Sequence, residues 1–281
     1  MLVNMNEILI KAQKEGYAVG LFNTTDTDAI EAAIAAAEEM RSPIILGTAE
    51  VLLHLGELQL IGPAMINMAK NATVPVAIHY DHGLTYERCL EALKLGFSSV
   101  MYDCSTDSYE DNLNRVMEMA EIAHSYGATI EGELGHVGDN EGSLEGDSHL
   151  DDPSAFYTDP KMAKDFVEKT GIDALAIAIG TAHGAYKSTP KLDIERLKEI
   201  RATIDTPLVL HGGSGLSETD FKNCIEGGIT KVNIYTDIYV AATKAMAECG
   251  GDYPEVRAKK IQAMKEVIKE KIMLFGSNGK C

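Results

Sequence analysis

The sequence predicts an α/β fold, a (β/α)8 TIM barrel with an N-terminal closing helix and an extra C-terminal helix. Three observations carry that expectation. Short apolar runs alternate with helix-period segments along the whole chain, the runs are apolar on both faces, and chemically suggestive polar residues stand where the runs stop. Strands buried on both faces and each followed by a helix pair in parallel through right-handed crossovers. Eight such units need about 250 residues, so the 281-residue chain reads as one domain, 1–281, without a linker.

Taken in order, Asn6–Glu15 reads as the helix that closes the barrel floor, and the first strand, 17–23, ends at Asn23. The helix Asp26–Arg41 follows, then strands 43–48 and 74–81. Tyr86–Leu95 leads to strand 98–103, and Tyr109–Tyr126 to strand 129–135. Residues 136–158 break the rhythm. They are rich in Gly and Asp with little periodicity, and a loop this long in a compact domain is usually a lid or a binding loop, or else a disordered or solvated acidic segment. Met162–Thr170, strand 174–180, Ile194–Ile204, strand 207–213, Glu218–Glu226 and strand 229–236 restore the alternation. Pro254–Phe275 is the extra terminal helix, with lysines on its exposed side.

A net charge of −18 argues against nucleic-acid and anionic-membrane partners, which need a basic surface. The five cysteines are odd in number and widely spaced, and no apolar run approaches the roughly 20 residues of a membrane span. Together these predict a reduced, cytoplasmic protein.

Asn23, Asp81, His82, Asp103, Glu133, His183, His211 and Asn233 lie at strand ends or close to them. On a parallel barrel those ends share one face, where active sites are built. Catalytic zinc keeps about three protein ligands and an open position, and His82, His183 and His211 supply three imidazoles. Gly212, Gly213 and Ser214 follow the seventh strand, and Asn233–Thr236 end the eighth, the positions where barrels bind phosphate through backbone N–H groups. The pattern points to a metal enzyme acting on a phosphorylated small molecule.

At these residues the chain resembles the class II, metal-dependent ketose-bisphosphate aldolases. The similarity runs through Tyr-Ala-Val-Gly-Leu-Phe-Asn (17–23), Asp-His-Gly (81–83), Gly-Phe-Ser-Ser-Val-Met-Tyr-Asp (96–103) and Glu-Gly-Glu-Leu-Gly (131–135). It continues with Ile-Gly-Thr-Ala-His-Gly (179–184), His-Gly-Gly-Ser-Gly (211–215) and Lys-Val-Asn-Ile-Tyr-Thr (231–236). The resemblance implies a catalytic Zn2+ on His82, His183 and His211, with Asp103 and Glu133 lining a second or displaced metal position. It implies that Asp81 exchanges the C4 hydroxyl proton, and that Glu141, on the long loop, exchanges the proton at the dihydroxyacetone phosphate carbon. Asn23, Gly184, Gly212, Gly213, Ser214, Asn233, Ile234, Tyr235 and Thr236 would hold substrate, and carbonyls near Gly184 and Gly212 a monovalent cation (Na+ or K+). The implied reaction is reversible cleavage of fructose 1,6-bisphosphate through a zinc-stabilised enediolate, by a homodimer or homotetramer.

Some positions depart from the family pattern. Cys104 replaces the common glycine, Ser105-Thr106 the usual Ser-His, and Tyr235 fits neither the fructose nor the tagatose members. For the second phosphate, Arg257, Lys259 and Lys260 are the candidates, and a solvated helix face explains them equally well. Alternatives are the same chemistry on tagatose 1,6-bisphosphate or another ketose phosphate, a Schiff-base aldolase using Lys187 or Lys231, and a sugar-phosphate binding protein without turnover.

Overall fold

The computed structural model describes residues 1–139, 156–184 and 190–281. In chain order the strands are β1 (Val19–Asn23), β2 (Ile44–Ala49), β3 (Val76–Gly83), β4 (Ser99–Tyr102), β5 (Thr129–Leu134), β6 (Gly138–Asp139), β7 (Ala174–Ile177), β8 (Ala182–His183), β9 (Leu208–Leu210) and β10 (Ile229–Ile234). All but β6 and β8 form one closed parallel barrel in the order β1-β2-β3-β4-β5-β7-β9-β10, with β10 returning to β1. The (β/α)8 barrel is the observed fold.

The helices are α1 (Met5–Glu15), α2 (Thr27–Met40), α3 (Leu58–Asn71), α4 (Tyr86–Leu95), α5 (Tyr109–Ser125), α6 (Pro160–Thr170), α7 (Ile194–Thr203), α8 (Glu218–Glu226), α9 (Thr236–Glu248) and α10 (Tyr253–Phe275). Two of them, α3 and α9, do not stand out in the sequence. Gly62-Pro63 reads as a chain breaker, yet it lies inside α3. Only Ile238 and Ala242 of α9 are buried, too few to set a visible period. Three barrel strands stop short of their expected ends, at Ile177, Leu210 and Ile234. Beyond these points the chain leaves the ladder to line the mouth of the barrel.

Two apolar clusters hold the molecule. The larger fills the layer between strands and outer helices, with Phe22, Tyr80, Phe166, Phe221 and Phe275 among its largest members. The smaller lies inside the barrel at its floor, where Met5, Ile8, Leu9 and Ala12 of α1 pack on Val19, Leu21, Ile45, Ala77, Ala174, Ala176 and Val209. A capping box at Asn4 and Glu7 starts α1, and left-handed Gly16 ends it. That fixes which face of the helix meets the floor. Burying each large side chain there stabilises the fold by roughly 1.5–3 kcal/mol.

Candidate active site

Strand alternation carries the inward-facing residues from floor to mouth. On β3 the inward series is Ala77, His79, Asp81; on β5 it includes Glu131 and Glu133; on β10 it includes Lys231 and Asn233. Each series reaches ionisable or polar groups that are buried. They line or underlie a cavity of about 630 Å³ at the strands' C-terminal ends.

His82 breaks the alternation. With Asp81 facing inward, the next residue should face the helices, as Tyr80 does. Instead His82 has φ +43°, and the β3–β4 register shifts between Tyr80 and Gly83. This left-handed turn brings two consecutive side chains, Asp81 and His82, to the same cavity. For a non-glycine residue it costs on the order of 1–3 kcal/mol.

The three imidazoles predicted from sequence converge. Ring centroids lie 4.5 Å apart for His82 and His211, 4.8 Å for His82 and His183, and 5.9 Å for His183 and His211. One nitrogen from each lies within 4.8 Å of the others. His82 Nδ1 donates to Asp103 Oδ2 at 2.7 Å, so its Nε2, buried and without a hydrogen-bond partner, points to the common centre. His211 Nε2 donates to Glu131 Oε1 at 2.8 Å, leaving Nδ1 toward that centre and 3.2 Å from Glu133 Oε2. His183 arrives by a separate device, the short β6–β8 ladder that pairs it in parallel register with Asp139. Asp103 and Glu133 form a further group with His82.

Asp81 sits beside this group, 1% exposed. Asn23 Nδ2 donates to its Oδ2 at 2.7 Å, and Asn233 Nδ2 to its Oδ1 at 3.0 Å. Gly47 makes room for the clamp, since a Cβ there would lie 2.5 Å from Asn23 Oδ1. Burial pushes the Asp81 carboxyl up, but the charges of His82, Lys231 and His211 override it and hold it well below the usual range. Burial likewise opposes charge on His211, yet Glu131 and Glu133 outweigh it and raise the imidazole to about 10. His82 is raised too, with Asp81 and Asp103 overcoming burial.

Those shifts describe a charge problem. Asp81, Glu131 and Glu133 are each at most 1% exposed, and Lys231 is the fully buried ammonium among them. Protons on His82 and His211 balance the excess when nothing else does, and a divalent cation at the imidazole centre would do so instead. The donor set of neutral imidazoles with carboxylates behind them suits Zn2+.

On the opposite wall Gly212, Gly213 and Ser214 follow β9, and Asn233, Ile234, Tyr235 and Thr236 lead into α9. Gly212 has φ +65°, and a Cβ there would meet Ala182 O at 2.4 Å, so only glycine lets the β8 and β9 ends approach. No side chain caps α9 at Tyr235. Tyr235 and Thr236 line the cavity, so the start of α9 lies at its wall, where an anion would be favoured. Gly184 lines the same space.

Of the sequence-predicted site residues, Glu141 lies outside the described ones, as does Lys187 of the Schiff-base alternative. The proposed second-phosphate ligands are elsewhere. Arg257 pairs with Asp28 and Glu31, both at 2.8 Å, and Lys260 with Asp26 and Asp28, while Lys259 is exposed on α10. Packing α10 against α2 places these cations on the barrel's outside. Lys231 is also absent from the described cavity wall. It lies below it, 2.8 Å from Glu131 Oε2.

Sequence reasoning passed over several wall and support residues. His136 lines the cavity and lies 3.3 Å from Ser105 Oγ through Nδ1. Val51, Leu52, Leu84 and Thr106 add to the wall. Glu131 and His79 lie beneath it. The available signal was spacing: Glu131 and Glu133 are two apart on one strand, as are His79 and Asp81, and so face the same way. Of the departures, Cys104 is buried in the outer core, whereas Tyr235 is on the cavity wall, its ring 4.7 Å from that of Tyr239.

Comparison with known proteins places the chain within one family. Residues 3–280 match the family described as Fructose-bisphosphate aldolase class-II. The chain is 38% identical over 290 aligned positions to a fructose-bisphosphate aldolase of Staphylococcus epidermidis, covering 99% of each chain. It is 40% identical over 309 positions to the Thermus caldophilus enzyme of the same name, covering 100% of each. Among solved structures it is similar to the YdjI aldolase of Escherichia coli K12, with a TM-score of 0.90 and 36% identity over 100% of this chain and 99% of that one.

Proposed function

The chain belongs to the class II fructose-bisphosphate aldolase family, and we propose that it is a zinc-dependent aldolase that reversibly cleaves fructose 1,6-bisphosphate to dihydroxyacetone phosphate and glyceraldehyde 3-phosphate. The observation that carries this reading is the convergence of His82, His183 and His211 beside a carboxylate clamped by two asparagine amides.

Carbon–carbon cleavage leaves negative charge beside a ketone, and Zn2+ held by the three imidazoles supplies the Lewis acid that stabilises it. The chain's own residues do the rest. Asp81, held by the Asn23 and Asn233 amides, takes the C4 hydroxyl proton in cleavage and returns it in condensation, a role worth about 10²–10⁴-fold. Asn23 and Asn233 hold both its oxygens, so the plane of the carboxylate is fixed. Asp103 fixes the His82 ring, and with Glu133 it offers a second metal position. Backbone N–H groups of Gly212–Ser214 and the first turn of α9 bind the phosphate of the dihydroxyacetone half. Gly184 and Gly212 carbonyls hold a monovalent cation, and Glu141 handles the proton on the carbon that becomes nucleophilic. In this reading the enzyme works in the cytoplasm as a homodimer or homotetramer. Among the described residues no helix is long and apolar enough to cross a membrane.

One observation leaves the sugar open. Tyr235 and the apolar Val51, Leu52 and Leu84 form part of the wall, so tagatose 1,6-bisphosphate or another ketose phosphate is the alternative substrate. The test is cleavage of fructose 1,6-bisphosphate before EDTA, after it, and after zinc is restored. Activity lost with chelation and regained with zinc supports the proposal. Full activity in protein shown to be free of metal overturns it, and zinc-bound protein inactive on fructose but active on the epimer moves the assignment to tagatose.

A further inference from the structure

Lys231 is an anomaly on β10. It is a fully buried ammonium in a strand that is otherwise built of buried residues, and it is absent from the described cavity wall. Its Nζ lies 2.8 Å from Glu131 Oε2, and the other oxygen of the same carboxylate accepts from His211 Nε2 at 2.8 Å. Both groups are fully buried, and His79 approaches Glu131 Oε2 only to 3.9 Å. The carboxylate therefore has one oxygen in an ion pair with the ammonium, without a hydrogen bond between them, and the other in a hydrogen bond with the imidazole.

We infer that the Lys231–Glu131 pair is a positioning device for His211: it holds the ring as the Nε2–H tautomer, with Nδ1 turned to the metal-binding centre. The inference rests on the zinc reading above. Its physical basis is that an imidazole offers two nitrogens, and the hydrogen bond at one decides which can serve as ligand. Glu131 alone could swing between rotamers in the barrel interior. Lys231 pins the far oxygen from across the barrel interior, since β9 and β7 lie between β10 and β5, and a buried carboxylate stripped of that cation would be costly to keep there. Lys231 and Glu131 are positioning residues, since neither reaches the cavity.

The test uses four full-length proteins: wild type, Glu131→Leu, Lys231→Met and the double variant Glu131→Gln with Lys231→Met. Zinc affinity is measured by competition with a chelator, and the ring nitrogens of 15N-labelled histidines are read by NMR in the zinc-loaded proteins. The wild type should show His211 bound through Nδ1 with a proton on Nε2. Glu131→Leu, which leaves no acceptor, should bind zinc about 10–100-fold more weakly. Lys231→Met should weaken it in the same direction. The double variant restores an uncharged acceptor beside an uncharged neighbour, and should recover most of the affinity along with the Nε2 proton signal. A purely structural role predicts no such rescue, because the double variant changes more atoms than either single one.

Zinc bound equally well by folded Glu131→Leu overturns the inference, as does wild-type His211 coordinating through Nε2. If Glu131→Leu fails to fold, the wild-type ring assignment and the affinity of the double variant decide the matter. Wild-type protein that takes up no zinc at all overturns the metalloenzyme reading beneath it, which is a different failure.

Discussion

The floor of this barrel and the buried layer that supports its mouth are built from the same strands, two residues apart, and they solve opposite problems. At the floor, Ala77, Ala174, Ala176 and Val209 meet the apolar face of α1 and exclude water. One step up, His79, Glu131, His211 and Lys231 are just as buried but ionisable. The floor gains free energy from every side chain it covers. The mouth gives up part of that gain to keep carboxylates and imidazoles at close quarters. Stability and chemistry are thus segregated along the strand direction rather than between separate domains.

That separation can be broken from either end. The largest effect is expected at the mouth. Asp81→Ala should lower kcat by about 10²–10⁴-fold while zinc content, measured by atomic absorption, stays at the wild-type ratio. Parallel loss of metal would mean that the clamp of Asn23 and Asn233 serves the metal centre and not proton transfer. At the floor, Leu9→Ala should cost about 2–5 kcal/mol in unfolding free energy and leave the chelator-measured zinc affinity unchanged. A floor variant that loses zinc affinity would show the two layers to be coupled.

The pH dependence sharpens the contrast further. In the metal-free protein the folded His211 value of about 10 stands above its ordinary 6.5. Its contribution to stability is therefore fully present below about pH 6.5 and disappears as pH rises through about 10. Zinc must displace that proton, so zinc affinity should climb by at least about tenfold per pH unit toward that limit, and more steeply where His82 is protonated as well, seen in titrations at fixed ionic strength. A flat profile would mean that His211 carries no proton in the metal-free state. The smallest effect is expected on the wall. Tyr235→Asn should change the ratio of kcat/KM for the fructose and tagatose epimers by less than about tenfold, within the usual worth of one pocket contact. An unchanged ratio would free this position from sugar selection.

The barrel was legible because its code is simple. Apolar runs and helix periods repeat, and strand-end positions such as His82, His183 and His211 advertise themselves against apolar neighbours. What escaped was the interior support. Glu131 was visible only as part of a motif, and His79 only as a strand residue. Their meaning depends on which barrel neighbours face them, and single-strand patterns do not carry that. Lys231 was weighed as a nucleophile because its sequence position is near a strand end. The structure places it one layer below the cavity, against Glu131. Arg257 and Lys260 read equally as phosphate ligands and as a solvated helix face, since helix-surface cations look alike until the packing of α10 on α2 shows which acids they face.

The left-handed backbone at His82 has a consequence for motion. Most groups in a barrel site sit on different strands, so their separations change as the sheet breathes. Asp81 and His82 share one peptide unit, whose Cα atoms stay about 3.8 Å apart whatever the rest of the sheet does. Fluctuations that loosen the mouth should carry this acid and this imidazole as a rigid couple, leaving His183 and His211 to supply the relative movement.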